Sequence, residues 1–266
     1  MTYTLVDAGV NLTNHQFEGE HQAIIARANA AGVQAMLLIG CDVPSSEQSL
    51  TLAKQYNQFS TAGVHPHDAK DATDELETTL TQLASNDCVV AIGECGLDYN
   101  RDFSPRDFSP RDIQRSVLKR QLALAEKLNL PVYLHERDAS EDMLNILANY
   151  NVRGVLHCFT GNAQALNDYL ELGLYIGITG WVCDERRGKA LQQLVPSIPL
   201  ERLLIETDAP FLIPRTITPK PKSRKNEPAY LSYVCETLAK LYNVEPSTIA
   251  AHSTANFYSL FDIAGR

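Results

Sequence analysis

The sequence predicts an α/β protein built as a (β/α)8 TIM barrel. Three observations carry that prediction. Short β-branched runs alternate with longer segments of helical spacing along the chain. Strands that alternate with helices pair in parallel. The length of 266 residues is that of one barrel, and no linker composition appears before residue 213, so residues 1–266 read as a single domain. An open doubly wound sheet is the runner-up, but no G-x-G-x-x-G follows the first strand.

The elements follow in order. Strands are expected at residues 4–7, 35–39, 60–64, 89–93, 131–134, 154–157, 174–178 and 203–206, each a short apolar run. Between them lie "EHQAIIARANAAG", "SSEQSLTLAKQY", "DELETTLTQLA", "SVLKRQLALAEKLN", "SEDMLNILANY" and "NAQALNDYLELG", all with apolar residues at helical spacing. The first stops on Gly32 and the last on Gly173, while Ser140 opens the fifth. Two segments interrupt the pattern. "RDFSPRDFSPRD" (101–112) holds a tandem Asp-Phe-Ser-Pro-Arg and reads as a lengthened exposed loop, with no function assigned to residues 102–111. "PRTITPKPKSRKNEP" (214–228) is a local basic loop after the last strand.

Composition narrows the function. With 23 basic and 32 acidic residues the formal net charge is -9, a poor match to a protein that coats duplex DNA. There is no basic n-region followed by an apolar run, and no stretch approaches the roughly 18 apolar residues of a membrane span. The six cysteines are scattered without a C-x-x-C pair. They read as free thiols in a reducing, cytoplasmic setting.

The apolar runs share one feature. Each stops at a polar residue: Glu94 after "VVAIG", His135 after "PVYL", His157 in "GVLH", Glu206 and Asp208 after "LLI", and His65 with His67 after "STAGV". In an α/β barrel those ends converge on the face where active sites lie. A lone carboxylate such as Glu94 is costly to bury unless something neutralises it. Glu94, His135, His157 and Asp208 offer two imidazoles and two carboxylates. That mix suits Mg²⁺, Mn²⁺, Zn²⁺, Fe²⁺ or Co²⁺, and a cation would neutralise Glu94. Gly93 and Gly96 are expected to permit close approach there.

The blocks "GVHPHD", "AIGECGLDYNRDFS", "PVYLHERD", "LHCFTG", "YIGITGWVCDERRG", "LLIETDAPFLIPR" and "RKNEPAYL" resemble, in order, those of the TatD-type metal-dependent deoxyribonucleases. The resemblance runs from Val6 to the C-terminal helices. It implies a (β/α)8 barrel and metal-dependent phosphodiester hydrolysis, as a 3′–5′ exonuclease on single-stranded DNA or RNA ends. It implies metal binding at Glu94, His135, His157 and Asp208, and phosphate contacts from His65 and Arg137. Asp208 is then the general base and His65 a second catalytic group.

One departure matters. Most of the family opens with Asp-x-His-x-His, whereas "VDAGVN" places Gly9 and Asn11 at the two histidine positions. The position beside Asp208 is therefore short of ligands, so one firm and one weak metal site are expected. Two rivals share the same ligands: ester or amide hydrolysis, as of an aminoacyl-tRNA, and a barrel that binds metal without turnover.

Overall fold

The computed structural model describes residues 3–100 and 109–263. Among these, eight parallel strands pair in chain order: β1 (Leu5–Val10), β2 (Val33–Leu38), β3 (Phe59–Ala62), β4 (Val89–Asp98), β5 (Val132–Arg137), β6 (Gly154–Leu156), β7 (Tyr175–Ile178) and β8 (Leu203–Ile205). The sheet closes through a parallel bridge between Val10 and Ala209. At this seam the Asn11 N–H donates to Ala209 O at 2.8 Å and the Asp208 N–H to Gly9 O at 2.9 Å. The helices α1 (His21–Ala30), α2 (Val43–Tyr56), α3 (Leu76–Ala84), α4 (Arg111–Leu128), α5 (Ser140–Leu147), α6 (Ala163–Glu171) and α7 (Lys189–Leu194) each follow one strand, and α8 (Leu231–Tyr242) and α9 (Pro246–Leu260) follow β8. This is the barrel the sequence predicted. No helix among the described residues is long and apolar enough to cross a membrane.

Strand periodicity divides the core in two. Leu5, Met36, Ile92, Leu134, Leu156, Ile176 and Leu203 belong to the larger cluster, which takes in residues of all nine helices named above. Val6, Ala8, Leu37, Val90, Tyr133, Val155 and Leu204 form the smaller one. Phe257 and Phe261 join that second cluster, and Phe257 stacks obliquely on Phe59 at the start of β3, with centroids 5.9 Å apart. Aromatic side chains from α9 thus pack at the N-terminal end of the strands. The polar groups collect at the other end.

Several boundaries move from those expected. The capping box at Asp42 starts α2 two residues early: its carboxylate accepts from the Ser45 N–H at 2.7 Å. β4 continues five residues past the expected stop and β5 three, so Glu94 and His135 lie inside strands rather than after them. Gly96 explains the first extension. It pairs with His135 at φ 156°, and a Cβ there would lie 1.8 Å from the His135 carbonyl oxygen. Gly93 and Gly96 therefore let β4 lie close against β5, the backbone approach expected of them.

The expected exposed loop at 101–112 needs correction. Residues 101–108 lie outside the described residues. Ser109, in the second copy of the repeat, is buried; its hydroxyl donates to His67 O and accepts from the Lys70 N–H, both at 2.8 Å. Arg111 and Asp112 already belong to α4.

α4 positions the site through two buried glutamines, seven residues and so about two turns apart on one face. Gln121 accepts from the Val64 N–H at 2.8 Å and donates to Val64 O at 2.9 Å, next to His65. Gln114 accepts from the Asp98 N–H at 2.9 Å and donates to Asp98 O at 3.1 Å and Ser109 O at 2.9 Å. Each amide satisfies strand-end backbone groups that no neighbouring strand reaches. Gln121→Leu would strand both Val64 groups in the core. It should cost about 2–4 kcal/mol in urea unfolding, and a loss below about 0.5 kcal/mol would show that the amide is not a structural clamp.

Candidate metal centre

Glu94 is 5% exposed, and three imidazoles surround one of its oxygens. Oε1 lies 2.8 Å from His157 Nε2, 3.0 Å from His135 Nδ1 and 3.6 Å from His65 Nε2. His135 Nδ1 and His157 Nε2 are themselves 3.2 Å apart. β4, β5 and the ends of β3 and β6 thus bring four side chains to one point.

The outer nitrogens decide what the inner ones can do. His135 Nε2 and His157 Nδ1 are buried without a hydrogen-bond partner. Each faces a carboxylate just beyond bonding length: Asp98 Oδ2 at 3.6 Å and Glu206 Oε1 at 3.6 Å. A metal-ligating histidine usually turns its second N–H to a carboxylate, which leaves the lone pair of the other nitrogen for the ion. Protons on those outer nitrogens leave lone pairs at His135 Nδ1 and His157 Nε2, the two that converge beside Glu94.

His65 differs. It caps the turn Pro66–Asp71, and its Nδ1 accepts from the His67 N–H at 3.1 Å. In the neutral ring the proton then sits on Nε2, facing Glu94. His65, Glu94 and His135 lie close enough to form a ligand group, but this tautomer makes His65 a donor.

Charge at the centre is strongly perturbed. Burial pushes Glu94 up, but the charges of His157 and His65 and hydrogen bonds from His135 and His157 outweigh it and hold the carboxyl well below its usual range. Burial alone would lower His157, yet Glu94 and Glu206 raise it well above its ordinary value. For His65 burial wins, aided by the His135 charge, and keeps it well below the ordinary value. The centre is therefore a buried carboxylate balanced by imidazolium character, and a divalent cation can replace that balance. The donor set fits such an ion.

The carboxylates around this centre are held from outside. Asp98 accepts from His67 Nε2 at 2.7 Å, so the Gln114 clamp continues through Asp98 toward His135. Glu206 is fully buried; it accepts from the Tyr133 hydroxyl at 2.5 Å and the Cys158 N–H at 2.6 Å.

Asp208 stands apart, at the end of β8. Asn11 Nδ2 donates to its Oδ1 at 2.8 Å. The desolvated barrel mouth, with Glu94 and Glu206 nearby, lifts it to about 7 against the opposing pull of His157 and Asn11. The Cys41 thiol, which sequence reasoning passed over, reaches both Asn11 Oδ1 and Glu94 Oε2 at 3.5 Å. Asp7 was also missed. It is fully buried, accepts from the Thr207 N–H at 2.8 Å and hydroxyl at 2.5 Å, and is raised to about 8 by burial. It ties the β1–β8 seam. Arg137 ends β5, with Nη1 donating to Thr160 Oγ1 at 2.9 Å. Asp98, which sequence reasoning also missed, lies on β4 four residues after Glu94, beyond the point where the strand was expected to stop.

At the first position of the absent histidine pair, Gly9, a side chain meets a steric barrier. Gly9 is not among the glycines at positive φ. A Cβ on it would instead lie 2.1 Å from the Tyr133 hydroxyl and 2.6 Å from Glu206 Oε2. Tyr133 and Glu206 occupy the space a histidine would need. Gly9→Ala should therefore destabilise the protein by about 1–3 kcal/mol. Adding Tyr133→Phe, which removes the nearest atom, should recover part of that loss, a non-additivity readable in a double-mutant cycle of urea melts. Simple additivity would place the strain elsewhere.

A family model described as TatD related DNase matches residues 6–262. The 3′-5′ ssDNA/RNA exonuclease TatD of Salmonella typhimurium is 48% identical over 97% of this chain and 99% of its own length. The protein of the same name from Pectobacterium carotovorum is 44% identical over 98% and 100%. Among solved structures, a TatD homologue from Escherichia coli superposes with a TM-score of 0.87 at 28% identity, covering 97% of this chain and 98% of its own. An organophosphorus hydrolase mutant from Deinococcus radiodurans, at 11% identity, 98% and 93% coverage and a TM-score of 0.61, shares the fold alone.

Proposed function

The chain belongs to the TatD-related DNase family, and from that premise we propose that it is a metal-dependent hydrolase that removes nucleotides from the 3′ end of single-stranded DNA or RNA. The observation that carries the reading is the convergence of His135 Nδ1 and His157 Nε2, 3.2 Å apart, on a buried glutamate. Glu94, His135 and His157 hold the firm ion, of which Mg²⁺, Mn²⁺ and Zn²⁺ are the candidates. Asp208, with Asn11 and no histidine pair beside it, forms the weak site. When bound, the metal lowers the pKa of water toward roughly 7 and polarises a phosphoryl oxygen.

The chain's own groups do the rest. Asp208 accepts the proton of the attacking water, a task suited to a carboxyl raised toward neutrality. His65 offers its Nε2 proton to a non-bridging phosphate oxygen. Arg137, braced by Thr160, offers its remaining N–H groups to the same phosphate and balances charge built up on it. Lys220, Lys222 and Arg224 in the basic loop are exposed, with no ion pair among the described residues, and track the strand's phosphates. Lys225 does not belong with them. Its Nζ is committed to Glu20 Oε1 and Gln16 O, both at 3.0 Å. Six free cysteines suit the reducing cytoplasm in which we place the protein.

The decisive assay is turnover of 5′-labelled single-stranded oligonucleotide against added metal, with a chelator control. Glu94→Ala and His135→Ala should each abolish turnover while keeping the fold, and dialysed wild-type protein should retain one equivalent of metal by elemental analysis. Near-normal activity in either variant, or two tightly held equivalents in the wild type, would overturn the ligand assignment.

The basic loop has its own readout. Changing Lys220, Lys222 and Arg224 to Ala should lower the slope of log affinity against log salt by about 2, since each phosphate contact on a single strand contributes about 0.7. An unchanged slope would remove the loop from substrate binding.

A further inference from the structure

We infer that Phe211 is the stacking surface for the base of the terminal nucleotide, an assignment that rests on the nuclease reading and names what that site recognises. Among the described residues two large apolar side chains are exposed, Phe211 at 46% and Leu172 at 41%. Leu172 follows α6 just before β7, at the N-terminal end of the strands, away from the metal centre. Phe211 follows Asp208 by three residues. Its N–H donates to Asp208 O at 2.9 Å, closing a tight turn. Such a turn keeps the two Cα atoms within about 7 Å, which puts the ring at the rim of the catalytic mouth.

The backbone beneath the ring is fixed from several sides. The buried Asn226 donates its N–H to Pro210 O at 3.0 Å and its side-chain amide to Thr207 O at 3.0 Å. The Asn11 N–H holds Ala209 O at 2.8 Å. On the other side Gly180 packs so tightly that a Cβ would lie 2.0 Å from Leu212 O. An exposed aromatic on an anchored segment is presented to solvent in a set place, and it loses little freedom when a flat partner covers it.

The chemistry around it selects that partner. One ring is far too small for a stable protein interface, which buries about 1,200 Å² or more, but it matches one nucleobase. The exposed cations Lys220, Lys222 and Arg224 follow on the same loop. An aromatic face beside a cationic track is how proteins bind single strands without reading sequence. A base stacked on Phe211 must first leave its neighbours and its pairing partner. The ring therefore favours frayed or single-stranded ends over closed duplex.

The test uses the full chain with metal and three substrates. These are a single-stranded oligonucleotide with a normal 3′ base, the same strand with an abasic 3′ residue, and a small diester without any ring, glycerophosphocholine. Phe211→Ala should lower kcat/KM on the normal strand about 5- to 150-fold, mainly through KM. It should leave the abasic strand and the small diester almost unchanged, and Phe211→Trp should restore the normal strand. Wild-type kinetics in Phe211→Ala on the normal strand, or an equal loss on all three substrates, would overturn the stacking role. If the wild-type protein degrades no oligonucleotide at any metal concentration, the nuclease reading itself fails and takes this inference with it.

Discussion

A carboxylate buried inside a strand is the constraint on which the rest of the site depends. Glu94 sits in β4 with 5% of its surface exposed, and an uncompensated charge there would cost several kcal/mol, a large part of a domain's stability. Compensation comes from histidines on β5 and just beyond β3 and β6, of which His157 is as deeply set as the glutamate. Each histidine is then oriented by something further out: His65 by the His67 N–H, His135 by Asp98, His157 by Glu206. The layers are coupled. Moving Asp98 would free His135, and Asp98 is held by a helix outside the barrel. Precision at the centre is thus bought with packing well away from it.

The seam between β1 and β8 gives the site its asymmetry. Gly9 is surrounded by Tyr133 and Glu206, and Glu206 also faces His157. The tyrosine that fills this space is therefore linked to the ligand side of the centre through one shared carboxylate. Asp7 closes the seam with Thr207 instead of facing an ion. These contacts account for a barrel that keeps one side of the site fully furnished and leaves the Asp208 side to Asn11 and Cys41.

Much of this was legible in the sequence. Alternating apolar runs gave the barrel, and the polar residues next to those runs marked its working end, because strand period and fold topology translate directly into position. What stayed hidden has physical reasons. β4 runs on through Glu94 and Gly96 to Asp98, and nothing in "GECGLD" distinguishes a continued strand from a loop until the neighbouring strand is present. Gln114 and Gln121 look like ordinary polar residues of an amphipathic helix; only burial against strand-end backbone reveals their task. Nothing in "VDAGVN" says why position 9 is glycine, because the space is taken by a tyrosine more than a hundred residues away. Lys225 read as one more basic residue of a loop, and Glu20, which neutralises it, lies on the other side of the seam.

The two glutamines of α4 carry a consequence for how this chain tolerates changes of length. They fix the helix to Val64 and Asp98 directly, so these two strand ends are held by residues that follow the repeated Asp-Phe-Ser-Pro-Arg. The second copy supplies the docked Ser109 and Arg111, the first residue of the helix. Closing a longer loop is cheap, about 0.6 kcal/mol for each doubling. A chain lengthened ahead of Ser109 therefore leaves the glutamine clamps in place, and with them Val64 beside His65 and Asp98 beside His135.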